Sequence, residues 1–222
     1  RKLMKIFLDT ADVNEVERAY LTGLIDGVTT NPTLVLKSGG TLYGIADHII
    51  KNCPEVESVS CEVVADTAIE MYDQAQAFRP LGKTATIKVP CTVEGLKTCR
   101  FLAEEGIKVN VTLVFSVAQA ILAAKAGPAY VSPFVGRCND NSFSGVELVR
   151  AIANTYCSQG VGTRVLAASL RDVHHVSRCF AAGADICTIP PKVFWKMYKH
   201  VLTDQGLAQF KEDWAIANQP FK

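Results

Sequence analysis

Short β-branched or apolar runs recur along the chain and predict eight strands: Lys5–Asp9, Gly27–Thr29, Val59–Val63, Thr84–Val89, Lys108–Leu113, Tyr130–Phe134, Arg164–Ala168 and Asp185–Ile189. Between most of them the apolar positions recur every three to four residues, as in Val13, Val16, Ala19 and Tyr20 or in Leu96, Cys99, Leu102 and Ala103, the pattern of a helix with one buried face. Thr92, Ser116 and Asp172 are N-cap residues in position to start such helices, and Gly23, Gly106, Gly127, Gly160 and Gly183 stand where helices stop. Eight strand–helix units in 222 residues predict an α/β fold, a small (β/α)8 TIM barrel. No Pro/Gly-rich linker divides the chain, so residues 1–222 read as a single barrel domain. The segment Thr203–Asn218 is one helix more than the barrel requires. Its Leu207, Phe210 and Trp214 share one face, which either packs on its own barrel or docks on a neighbouring subunit. An open doubly wound sheet is the competing architecture, disfavoured because no G-x-G-x-x-G follows the first strand.

Composition narrows the function classes. Hydrophobic residues make up 49% and charged residues 20%, the balance of a chain that folds rather than stays disordered. The net charge is +1 with no basic stripe, which argues against a nucleic-acid partner. The longest apolar stretches, such as that around Val109–Phe115, fall far short of a membrane span, and Asp9 and Asp12 interrupt any signal-like core near the start. Arg1–Leu3 read as an addition ahead of a start at Met4 or as the tail of an upstream extension. Eight cysteines without a C-x-x-C pair, several within apolar segments, read as reduced structural thiols and point to a cytoplasmic setting.

Strand parity locates the candidate chemistry. In Thr84–Val89 the apolar set Ala85, Ile87 and Val89 suits the helix-facing side, which sends Thr84, Thr86 and Lys88 into the barrel. The same reasoning turns Phe7, Asp9, Ser60, Glu62, Asn110, Thr112, Ser132 and Phe134 inward and puts Ser169 just past the seventh strand. The polar members gather at the C-terminal ends of the strands, where barrels of this kind carry their active sites. An interior lysine beside carboxylates is either a structural ion pair or an amine readied for nucleophilic work. Without a metal-ligand cluster or a Gly-rich phosphate loop in the sequence, the chemistry that suits it is amine attack on a carbonyl, with apolar and cationic surroundings favouring the free amine. His48, His174, His175 and His200 fall in helical segments and read as surface or capping residues.

The segments Ile6–Ala11, Gly27-Val-Thr-Thr-Asn-Pro-Thr33, Ile87-Lys-Val-Pro90 with Glu94–Leu96, Val109–Leu113, Ser132-Pro-Phe-Val-Gly-Arg137 and Leu166–Ser169 together resemble the transaldolase family, in particular the short subfamily that includes fructose-6-phosphate aldolases. That resemblance implies a class I mechanism without metal or cofactor. Lys88 would form a Schiff base with a ketose phosphate, Glu62 and Thr112 would hold the water that shuttles protons, and Asp9 would take the proton of the C4 hydroxyl. A dihydroxyacetone unit would pass from sedoheptulose 7-phosphate to glyceraldehyde 3-phosphate, giving erythrose 4-phosphate and fructose 6-phosphate, a step of the pentose phosphate pathway. Asn31 and Asn110 match positions that bind sugar hydroxyls, and Arg137, Ser169 and Arg171 match those that hold phosphate. Glu62 and Phe134 follow the transferase pattern, where aldolase members are similar to one another in having glutamine and tyrosine. Short members assemble as pentamers or decamers, so a homo-oligomer is expected. Another class I sugar-phosphate aldolase and a non-catalytic sugar-phosphate binder are the remaining readings, and Cys138, beside Arg137, reads as a buried inert thiol.

Overall fold

In the computed structural model, which describes residues 4–217, eight parallel strands close into a barrel in sequence order. They are β1 Lys5–Asp9, β2 Gly27–Thr29, β3 Ser58–Glu62, β4 Ala85–Pro90, β5 Val109–Val114, β6 Tyr130–Pro133, β7 Arg164–Ala167 and β8 Ile186–Ile189. Pairing of Phe7 with Thr188 and of Leu8 with Ile189 joins the first strand to the last and excludes the open sheet. The residues ahead of Met4 and the expected last residue of the terminal helix, Asn218, lie outside the described residues.

Helices follow each strand. After β1 comes α1 (Val13–Tyr20); after β2, α2 (Pro32–Ser38) and α3 (Leu42–Asn52); after β3, α4 (Ala68–Gln76) with a 3-10 turn at Arg79–Thr84; after β4, α5 (Val93–Glu104). Then come α6 (Val117–Lys125), α7 (Val135–Asp140) and α8 (Gly145–Ser158), α9 (Val173–Ala181), and finally α10 (Pro191–Lys196) and α11 (Val201–Ala217). The expected caps are in place, with Thr92, Ser116 and Asp172 accepting from the backbone N–H of Gly95, Gln119 and His175. The glycines expected at helix stops adopt left-handed backbone, for example Gly106 at φ 75° and Gly183 at φ 100°. Thr84 closes the 3-10 turn instead of opening β4, because the strand begins one residue later. His200 lies just before α11, where its Nδ1 accepts from the N–H of Leu202.

The main core is the layer between strands and helices, including Leu8, Val28, Val59, Ile87, Val111 and Ile189. A smaller cluster of Phe7, Tyr130, Leu166, Ala168 and Ile186 fills the barrel itself. Gly27 admits the Phe7 ring, whose atoms would lie 2.7–2.8 Å from a Cβ at that position. Phe7 meets Tyr130 edge-on at 5.8 Å, so the aromatic plug separates the lower barrel from its mouth.

All eight cysteines are free, and six of them are buried. No helix among the described residues is long and apolar enough to cross a membrane. α11 buries none of its residues, and Leu207, Phe210 and Trp214 are 51%, 70% and 72% exposed, so the expected apolar face does not pack into its own barrel.

Candidate active site

Lys88, inward on β4, is 5% exposed, and its Nζ lies 3.0 Å from Glu62 Oε2 on the neighbouring strand. The register explains the contact, since Glu62 and Lys88 are directly paired across β3 and β4. The same Nζ donates to the backbone carbonyl of Thr30 at 3.0 Å. The amine is therefore surrounded by oxygen acceptors, not by the apolar and cationic groups expected from the sequence. A lysine held this way can pass a proton to Glu62 without leaving its position.

Asp9 ends β1, where Thr29 on the paired strand donates to its Oδ1 at 2.8 Å. Burial pushes the Asp9 carboxyl above its ordinary value of 3.8; the Lys88 charge and the Thr29 hydrogen bond oppose that shift, and Glu62 adds to it. Thr29 in turn lies 2.5 Å, hydroxyl to hydroxyl, from Thr188 on β8.

Strand β5 supplies Asn110 and Thr112. Ser132 Oγ donates to Asn110 Oδ1 at 2.7 Å, which fixes the amide across β5 and β6. Thr112 is completely buried, yet its hydroxyl has no hydrogen-bond partner among the described residues. A bulge follows at once: the β5–β6 register shifts between Val111 and Val114, and Leu113 takes φ 58°. Such a distortion next to an unsatisfied hydroxyl is the signature of a site built for something other than packing.

The rim is formed by the start of α7. Val135 N–H donates to Ala168 O at 2.9 Å and Gly136 N–H to Ser169 O at 3.0 Å, docking this helix onto the end of β7. A Cβ at Gly136 would lie 2.3 Å from that Ser169 oxygen, so only glycine permits the approach. Ser169 itself is held at φ 58°, a strained conformation for a non-glycine residue. The Arg137 guanidinium lies 5.0 Å over the Phe134 ring, which meets Phe115 edge-on at 5.8 Å.

These elements enclose a cavity of about 110 Å³ lined by Asp9, Asn31, Lys88, Asn110, Thr112, Ser132, Phe134, Arg137 and Ser169, together with Thr29 and Thr188. Nine of the eleven residues proposed from the sequence thus share one cavity, and Glu62 touches it through Lys88. Asn31 spends its Oδ1 on capping α2 through Leu34 N–H, while its amide nitrogen, without a partner among the described residues, can face a ligand.

Arg171 departs from the expectation. Its guanidinium makes a bidentate pair with Asp140 of α7, half-exposed and outside the cavity lining. Thr29 and Thr188 were not anticipated. β2 is too short for parity to show, whereas the inward Ile186 two residues before Thr188 was an available signal. Burial pushes the Cys138 thiol up from its ordinary value, in keeping with an inert group.

Comparison with known proteins gives a consistent result. Residues 6–220 match the family described as Transaldolase/Fructose-6-phosphate aldolase. The chain is 47% identical over 217 residues to a probable transaldolase of Paracoccus denitrificans, covering 97% of this chain and 99% of that protein. It is 48% identical over 219 residues to a probable transaldolase of Coprothermobacter proteolyticus, covering 98% and 100%. Among solved structures, a thiamine phosphate pyrophosphorylase from Pyrococcus furiosus superposes with a TM-score of 0.62 at 15% identity, covering 88% of this chain and 94% of that one, a likeness of fold alone.

Proposed function

Because the chain belongs to the Transaldolase/Fructose-6-phosphate aldolase family, we propose that it is a transaldolase, a transferase that moves a dihydroxyacetone unit between sugar phosphates through a Schiff base on Lys88. The observation that carries this reading is the buried Lys88 amine, 3.0 Å from Glu62, sharing a cavity with the unpartnered hydroxyl of Thr112. A binding protein gains nothing from such an arrangement, because a buried ion pair stabilises a fold poorly.

The steps follow from the placement of the groups. Glu62 takes a proton from Lys88, and the freed amine bonds to C2 of the ketose phosphate. The former carbonyl oxygen collects protons by way of Glu62 and the Thr112 hydroxyl and leaves as water, giving the iminium. Asp9, ionised, removes the proton of the C4 hydroxyl; the C3–C4 bond breaks, its electron pair enters the iminium to form an enamine, and an aldose phosphate departs. The enamine then adds to the aldehyde of a second aldose phosphate, whose oxygen takes the proton back from Asp9, and water releases the new ketose. With sedoheptulose 7-phosphate and glyceraldehyde 3-phosphate the products are erythrose 4-phosphate and fructose 6-phosphate, a step of the pentose phosphate pathway.

Asn31, Asn110 and Ser132 face the sugar hydroxyls, while Phe134 keeps Arg137 over the rim. Arg137 and Ser169 hold the phosphate, and Arg171 joins them by exchanging the Asp140 carboxylate for a phosphate dianion. The exposed face of α11 supports docking on a neighbouring subunit in a pentamer or decamer, and the eight free thiols support a reducing, cytoplasmic location.

The test is trapping with borohydride in the presence of fructose 6-phosphate, followed by peptide mapping, alongside turnover with erythrose 4-phosphate. An adduct on Lys88 together with sedoheptulose 7-phosphate is the expected result. An adduct with free dihydroxyacetone accumulating would make the protein an aldolase, and no adduct would make Lys88 structural.

A further inference from the structure

The proton count of two buried hydroxyls fixes the direction of a hydrogen-bond chain that ends on Asp9. Thr29 Oγ1 donates its only proton to Asp9 Oδ1 at 2.8 Å, so toward Thr188 Oγ1, 2.5 Å away, it can act only as acceptor. Thr188 must then be the donor, and a single directed chain runs from β8 through β2 to the carboxylate on β1. Both threonines are 2% exposed at the wall of the cavity, so water has little access to these hydroxyls and the contacts between them set their direction. The strand register holds all three in place, because β1 pairs with β2 at Asp9 and Thr29 and with β8 at Phe7 and Thr188.

We infer that Thr188 is a positioning residue for the carbon–carbon cleavage step: through Thr29 it holds Asp9 in the ionised, base-ready form and aims its second oxygen into the cavity. The inference rests on the reading of Asp9 as the base. When Asp9 takes up the C4 hydroxyl proton on its second oxygen, Oδ1 stays an acceptor for Thr29, so the chain keeps its direction and both protonation states of Asp9 are hydrogen-bonded without a change of backbone. A valine at Thr188 could not donate, and Thr29 would then lose the polarisation that strengthens its bond to Asp9.

The experiment compares Thr188→Val with Thr188→Ser. Thr188→Val lowers kcat about fivefold, the cost of one hydrogen bond acting on a charge through an intermediate hydroxyl, and moves the acid limb of the kcat/KM profile to higher pH. Thr188→Ser, which keeps the donor, restores both. The single-turnover rate of borohydride-trappable adduct formation on Lys88 stays unchanged in both variants, since Asp9 acts after the iminium has formed. Thr188→Ala, lacking the donor but smaller than valine, repeats the shift if the valine side chain proves too large for the site. Equal profiles for the valine and serine variants, or adduct formation slowed as much as turnover, would overturn the inference. Asp9→Asn separates the two readings: if that variant still cleaves, Asp9 is not the base and the fault lies with the underlying mechanism rather than with the relay.

Discussion

At the mouth of the barrel Lys88, Glu62 and Asp9 share one buried space, and at the floor Lys5, Lys108 and Arg164 converge on Glu57, so each end of the same interior holds amines and carboxylates. The floor is saturated. Glu57 accepts from Lys5, from Arg164 at 3.1 Å and from the Tyr130 hydroxyl at 3.4 Å; Arg164 also donates to Tyr130 at 2.8 Å; Lys108 donates to the Glu57 carbonyl. The mouth is not: among the described residues Thr112 is buried without a partner and Asp9 has one donor. Burial raises both carboxyls, but at the floor Lys5 and Arg164 more than offset it and hold Glu57 below its ordinary 4.5, whereas at the mouth burial prevails and Asp9 rises above 3.8. The same residue types therefore stabilise the fold at one end and are held at some expense of stability at the other, which is how a barrel divides its two faces.

Replacing Lys88 by alanine tests the mouth most severely. Turnover falls by about 10⁴-fold or more and the borohydride adduct disappears; urea unfolding shows a less stable protein, because Glu62 is left buried without its partner, so this variant tests the chemistry and the neutral variants test the stability. Asp9→Asn comes next, with turnover lowered by about 10²–10⁴-fold and the Tm raised, because a neutral amide is cheaper to bury than this carboxylate. A fall in Tm would mean that Asp9 contributes to the fold and would erase the contrast between the ends. Glu57→Ala does the reverse at the floor. It strands two cations, Lys5 and Arg164, and costs about 2–3 kcal/mol in urea unfolding, less than a deeply buried pair because Glu57 keeps 29% of its side chain exposed. Turnover per folded molecule stays at the parent level; its collapse would tie the floor to the chemistry.

Parity along β1, β3, β4, β5 and β6 was enough to bring Asp9, Glu62, Lys88, Asn110, Thr112 and Ser132 to one end of the barrel, because each strand alternates a helix-facing apolar set with an inward one. Where periodicity is absent the inference stops. β2 has three residues, all buried, so nothing in Gly27–Thr29 marks Thr29 as inward. The direction of Arg171 depends on Asp140, 31 positions earlier in the chain, and no local pattern encodes that pair. Glu57 precedes its strand and meets Lys5 and Arg164 across 52 and 107 positions, so the floor cluster emerges only from closure of the barrel. The bulge at Leu113 needs left-handed backbone at a leucine, a conformation that propensity argues against and the packing of β5 on β6 imposes.

The finest test of the contrast between mouth and floor is the pH dependence of stability, where the two carboxyls act with opposite sign. Glu57 titrates lower in the folded chain than in the unfolded one, so its contribution is complete above about 4.5 and is lost as pH falls through its folded value. Asp9 titrates higher in the folded chain, so its unfavourable contribution is absent below about 3.8, grows as pH rises through its folded value and is complete above it. Urea unfolding of Glu57→Gln and Asp9→Asn against the parent then gives two curves. The Glu57→Gln deficit is largest at neutral pH and its charge-dependent part closes in acid; the Asp9→Asn gain is likewise largest at neutral pH and closes in acid. A gain for Asp9→Asn that persists below 3.8 would come from packing, not charge, and would remove the electrostatic basis for treating the mouth as the end held away from its most stable state.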